Sequence, residues 1–258
     1  MVAETKRLLI ASLTDGHSQA RLLAVSSPHA GDWLHAPPLT AVGLRMSDEE
    51  VRIAVGLRLG TSLCSPHTCP CGAQVDARGC HGLSCRRSAG RQLRHKLIND
   101  IVWRALARAG VAATREPQGL IAGSPLRPDG ATIIPWARGK CLAWDATTPD
   151  TVAPSHLASS SLAAGAAADS AARSKVAKYL QITATHIFVP IAVETFGPWN
   201  SEGLDLMREI GRRAAVGTGD TRETFFLLQR VSVAVQKGNA VSFAGTLAGV
   251  SDESEGTG

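Results

Sequence analysis

Apolar positions recur along this chain with two different periods, and the change between them divides it. The segment SDEEVRIAVGLRLG has a helical period, with Ser47 at the cap and Glu50 three residues on completing a capping box. Together with the apolar stretches before the Pro/Gly-broken connector SPHAGDWLHAPP, it predicts two or three short helices over residues 1–60. RQLRHKLINDIVWRALARAG then spaces Leu93, Leu97, Ile101 and Ala105 by four and stops at Gly110, a second helix. Beyond it the pattern turns strand-like. A strand is expected near 111–116, and a strand pair in RPDGATIIPW and KCLAWDATTP around the turn ARGK. The Ala-rich stretch 159–180 reads in its second half as a helix ending at KVAKYL, because alanine is the best helix former. HIFVPIAVET is apolar and β-branched throughout, the pattern of a buried strand, and two helices follow over 202–216 and 221–236. The order from residue 91 is α, β, β, β, α, β, α, α, which predicts an α/β (α+β) fold with a mixed sheet flanked by helices. The expected division is an N-terminal helical segment 1–60, a small Cys/His module 61–90, a main domain 91–250 and a disordered acidic tail, SDESEGTG, at 251–258.

With 258 residues, 44% of them apolar, the chain has enough material for a core. Its net charge of +5 leans towards polyanionic partners without specifying one. The N-terminal stretch lacks the apolar core and cleavage site of a secretory signal, and no run approaches the roughly 18 apolar residues of a membrane span. An intracellular protein without a membrane partner is therefore expected. Five of the six cysteines fall between Cys64 and Cys85, while Cys141 stands in an apolar run and is expected in the core. In a reducing compartment such clustering favours metal ligation over disulfides. Cys69, Cys71, His81 and Cys85 form C-x-C-x9-H-x3-C and can supply four ligands to a structural Zn²⁺, with Cys64, His67 and Cys80 as competing candidates. The segment CRRSAGRQLRHK follows directly, and its Arg86, Arg87, Arg91 and Arg94 either line a phosphate backbone or form a solvated helix start.

Two acids carry the remaining chemistry. Hydrolysis of a phosphodiester needs a divalent metal, and Mg²⁺ or Mn²⁺ is held by one or two carboxylates. Asp129 in RPDG and Asp145 in LAWDAT lie 16 residues apart across the expected hairpin, which brings both carboxylates to one end of the sheet. Asp145 interrupts an apolar strand, where an acid is costly unless paired or coordinated. Asp129-Gly130 taken alone is a turn signal. Glu116 and Glu194 each end an expected strand, as an extra metal ligand or a fold-stabilising acid.

The order PD, then D-x-T on the next strand, then a lysine-bearing helix resembles the PD-(D/E)XK nuclease superfamily. The Cys/His cluster, the RHKLI string with Arg94, His95 and Ile98, Pro128-Asp129, Asp145, and KVAKY with Lys175, Lys178 and Tyr179 together resemble the restriction-like endonuclease region of non-LTR retrotransposons. The resemblance covers about residues 30–247. It implies a PD-(D/E)XK nuclease-like fold and a metal-dependent endodeoxyribonuclease in the nucleus. That enzyme nicks target DNA to leave a 3′-hydroxyl that primes reverse transcription, with element RNA and a reverse transcriptase as partners and a homodimer where both strands are cut. One departure stands out. The family's lysine belongs two residues after the second acid, where this chain has Thr147, so Lys175 or Lys178 from the following helix would have to replace it. His95, with Asn99 one turn on, would approach the metal or phosphate. The Tyr-x-Asp-Asp site of a reverse transcriptase is absent, since the single tyrosine, Tyr179, is followed by Leu and Gln. The alternative is a catalytically inactive, zinc-stabilised nucleic-acid-binding relic, for which Thr147 is the main argument.

Overall fold

The computed structural model describes residues 2–247 except 122 and 124, leaving out the side chains of residues 2, 3 and 6; the expected acidic tail lies outside the described residues. Three helices come first, α1 (Val2–Ser12), α2 (Gly16–Val25) and α3 (Asp48–Leu59). The box at the start of α3 forms as expected, with Glu50 N–H donating to Ser47 Oγ and Ser47 N–H to the Glu50 carboxylate. A two-stranded ribbon, β1 (His67–Thr68) and β2 (Gln74–Val75), and the short α4 (His81–Ser84) carry the cysteine-rich segment.

The main layer begins with α5 (Ala89–Arg108), followed by β3 (Ala113–Arg115), β4 (Gly130–Thr132) and β5 (Cys141–Thr147). Helices α6 (Pro154–Ser160) and α7 (Ala166–Lys178) then cross over to β6 (His186–Ala192), and α8 (Ser201–Thr218) and α9 (Glu223–Ala244) complete the fold. The sheet order is β3-β4-β5-β6, antiparallel up to β5 and parallel between β5 and β6, the mixed sheet expected from the sequence. Cys141, at the start of β5, is half-buried rather than a core residue.

Alternation along β5 sorts its side chains between two layers. Leu142, Trp144 and Ala146 join Ile98, Val102 and Leu106 of α5 and the apolar faces of α8 and α9 in the largest core cluster. Ala143, on the opposite parity, packs with Ala131, Tyr179 and Ile182, and Asp145 shares that face. Asp129-Gly130 is not a turn. Gly130 opens β4 opposite Trp144, and a Cβ there would lie 2.1 Å from Trp144 Cζ2, so glycine is what lets the indole lie across the strand.

Helix α9 runs to Ala244, well past the expected end near 236, straight through Gly238. The reason is the close approach of α5. A Cβ at Gly238 would fall 2.1 Å from Arg94 Cγ, and one at Gly90 would fall 2.2 Å from the Gly238 carbonyl oxygen. Glycine here serves helix contact rather than helix termination.

Arg94 was expected on DNA; it is instead wholly buried. Its Nη1 donates to Asn239 Oδ1 (3.1 Å) and Ser242 Oγ (2.9 Å) on α9, and its Nη2 donates to the Leu83 carbonyl (3.0 Å) on α4. Burial pulls its pKa down to about 10, against the favourable charge of buried Asp150. Removing a buried charge partner from such a network costs roughly 3–5 kcal/mol. Arg94→Ala should therefore lower the unfolding free energy by about that amount in urea melts, whereas exposed Arg91→Ala should change it by less than about 0.5 kcal/mol. Equal effects of the two would refute the structural assignment of Arg94.

Candidate functional site

Two constellations meet near the start of α5. In the first, the ligand atoms of Cys69, Cys71, His81 and Cys85 all lie within 4.8 Å of one another. The β1–β2 ribbon turns between the first two cysteines, and α4 supplies the second pair from its two ends. Cys69 Sγ is 3.9 Å from Cys85 Sγ, close to the ~3.8 Å edge of a tetrahedron built on Zn–S bonds of about 2.3 Å, and Cys71 Sγ is 3.2 Å from His81 Nε2. This Cys₃His cluster can bind a metal ion such as zinc. The N–H of Ala73 holds the exposed Cys71 thiol down at about 6, while burial pushes Cys69 up to about 11.

The competing ligands are engaged elsewhere. Cys64 Sγ donates to the carbonyls of Asp76 and Ala77, and His67 bonds Thr246 Oγ1 through Nε2 and the Ser65 carbonyl through Nδ1. Cys80 lies against the core, where burial pushes its thiol up to about 12.

The second constellation gathers at the end of the sheet where β4 begins and β5 ends. Asp129 Oδ2 accepts the Ala146 N–H (2.6 Å) and lies 3.0 Å from His95 Nε2. Asp145 is buried and pairs with the Lys175 ammonium from the last turn of α7. Its Oδ1 nonetheless has no donor in hydrogen-bonding geometry. Tyr179 follows on the same side, its hydroxyl donating to the Arg127 carbonyl at 2.6 Å.

These neighbours split the two acids. Burial pushes Asp129 upward, but the His95 hydrogen bond and charge, with the Ala146 N–H, outweigh it and hold Asp129 below the usual carboxylate range. Burial and the Asp129 charge push Asp145 above that range, against Lys175 and Tyr179. The hydrogen bond to Asp129 raises His95.

Four expected residues, Asp129, Asp145, His95 and Lys175, are thus brought together. Lys178 is not; one step of three residues further along the helix, its ammonium lies over the Tyr179 ring, 4.6 Å from the centroid. Glu116 contributes only its backbone N–H, to the Asp129 carbonyl, and its exposed carboxylate has no hydrogen bond or ion pair among the described residues. A φ of +45° at Glu116 ends the strand there. Glu194 serves the fold: fully buried, it accepts the N–H groups of Ala167 and Ala168 at the start of α7 and the Thr151 hydroxyl.

An open cleft of about 390 Å³ lies beside His95, lined also by Arg86, Arg91, Gln92, Thr147 and Thr148 among others. Arg86 and Arg91 are exposed and carry no ion pair among the described residues. Arg87 bends back to the Pro70 carbonyl (2.7 Å) and fastens the cysteine loop. Among the described residues no helix is long and apolar enough to cross a membrane.

The purified chain should retain one tightly held metal ion in the cysteine cluster, measurable by elemental analysis. Cys69→Ser and His81→Ala should each lose it with a fall in melting temperature, and Cys64→Ser should keep it. Retention by the first two variants would refute this ligand set. Scans against protein-family models and curated proteins give no match to this chain.

Proposed function

We propose that this chain is a divalent-metal-dependent DNA endonuclease of the retrotransposon restriction-like type, nicking one strand of target DNA to leave a 3′-hydroxyl for primed reverse transcription. The observation that carries the reading is the convergence of Asp129, Asp145, Lys175 and His95 at one sheet end, beside a basic cleft. The succession of a helix, three antiparallel strands, a helical crossover and a parallel strand supports it, as does the location of Asp145 on β5 and of Asp129 immediately before β4, the two central strands.

The donor set suits Mg²⁺ or Mn²⁺ rather than a soft metal. Two carboxylates, Asp129 and Asp145, are present at the site, and oxygen donors of this kind favour a hard cation. Asp129 and Asp145 would hold the ion, which when bound supplies Lewis-acid polarisation of the phosphate and a more acidic water. Around it, Lys175 supplies the cation that Thr147 cannot, placing an ammonium where charge builds on the phosphate oxygens. His95 faces the cleft from α5 and can take or give a proton at Nε2. Arg86 and Arg91 offer the phosphate backbone two cations. Cys69, Cys71, His81 and Cys85 would hold a zinc ion in a structural role, since four such ligands would leave it no position for water.

The test is nicking of supercoiled plasmid by zinc-loaded protein with Mg²⁺ or Mn²⁺. Asp129→Ala and Asp145→Ala should abolish it, and Lys175→Met should lower the rate by roughly 100- to 1,000-fold. Arg86→Ala and Arg91→Ala should each reduce the slope of log affinity against log salt by about 1. Folded protein that binds DNA with this salt dependence but nicks no faster than the aspartate variants would replace the nuclease with a non-catalytic binding module.

A further inference from the structure

Asn99 sits one turn after His95 on α5 and touches two residues of the site at once, His95 and Trp144. Its Oδ1 accepts the Trp144 indole N–H at 3.1 Å, and its Nδ2 lies 3.2 Å from His95 Nε2. An indole nitrogen only donates, so the oxygen of the Asn99 amide must face Trp144 and its NH₂ must face His95. The orientation of this amide is therefore dictated from the core. Trp144 itself cannot drift, because it is fully buried, precedes Asp145 on β5 and lies across Gly130, the residue after Asp129.

His95 Nε2 thus stands between an acceptor, Asp129 Oδ2 at 3.0 Å, and a donor, Asn99 Nδ2 at 3.2 Å. A ring nitrogen carrying hydrogen serves the first, and one with a free lone pair serves the second. Either tautomer finds a partner without moving the ring.

We infer that Asn99 is a positioning residue, through which Trp144 ties the register of the two acid-bearing strands to His95 and fixes the imidazole in one place whichever tautomer it adopts. Its catalytic meaning rests on the nuclease reading above; its geometric content does not.

The experiment pairs Asn99→Leu with Asn99→Asp in the full chain with the cysteine cluster loaded. Aspartate keeps an acceptor for Trp144 but has no N–H for His95, so it separates the two halves of the link. Side-chain ¹⁵N NMR without Mg²⁺ should show the Trp144 indole N–H protected from exchange in the wild type and Asn99→Asp, and exposed in Asn99→Leu. The His95 ring signals should shift or broaden in both variants. Where the wild type nicks DNA, both variants should lose kcat on the order of 100-fold, the cost expected of a misplaced catalytic group, with KM for DNA nearly unchanged. Unchanged His95 signals, or wild-type kcat in Asn99→Asp, would overturn the inference. A wild type that never nicks would overturn the nuclease reading instead and leave the His95 signals to decide this one.

Discussion

The guanidinium of Arg94 is the contact on which the arrangement depends. A charge with no solvent exposure leans on its surroundings, and here its two terminal nitrogens bond Asn239 and Ser242 near the end of α9 and the Leu83 carbonyl on α4, while Nε has no partner among the described residues. Meeting that demand brings α5 and α9 so close that neither Gly90 nor Gly238 has room for a side chain. Once α5 is set in this way, the residues that follow Arg94 have little freedom. His95 emerges on the cleft side, Ile98 and Val102 enter the core, and Asn99 meets Trp144. One side chain of α5 is thereby bonded across both α4 and α9.

The acidic cluster rests on a second compromise. Two carboxylates near each other in a half-enclosed site repel, and the fold answers with different company for each. Asp129 receives an N–H and an imidazole, whereas Asp145 receives an ammonium and lies deeper. Their affinities for protons move in opposite directions as a result, with Asp129 readily ionised and Asp145 reluctant to ionise. Lys175 offsets part of that repulsion by placing its ammonium against Asp145 Oδ1.

Much of this was legible in the sequence because it follows from local periods. The capped α3, the long α5, the three-strand run and the apolar β6 all obey rules that act within ten or twenty residues, although β6 is an edge strand buried only from Pro190 onward rather than throughout. Asp145 announced itself as an acid in an apolar strand, and the cysteine spacing yielded the four clustered ligands. What escaped depends on partners far away in the chain. Arg94 reads as one more basic residue in a basic string, since nothing nearby indicates that Asn239 and Ser242 await it. Gly238 reads as the end of a helix until α5 is placed against it, and Gly130 as a turn until Trp144 is laid across it. Lys175 and Lys178 could not be ranked by sequence, because they share a helical face and only the placement of α7 against β5 decides which of them meets Asp145.

Mounting that ammonium on α7 has an evolutionary consequence. A lysine two residues beyond the acid on β5 is bound by the strand's alternation, since a shift of one residue reverses its face. A lysine on a crossing helix is bound only by reach, and substitutions on neighbouring turns can exchange the charge between positions some 5 Å apart along the axis without altering a single strand residue. Descendants of such a chain can let the cation wander while the aspartates stay where they are. The position two residues beyond Asp145 on β5, occupied here by Thr147, is then free to vary, and a search for a fixed acid-x-lysine spacing would pass over a chain that holds these three charges in space.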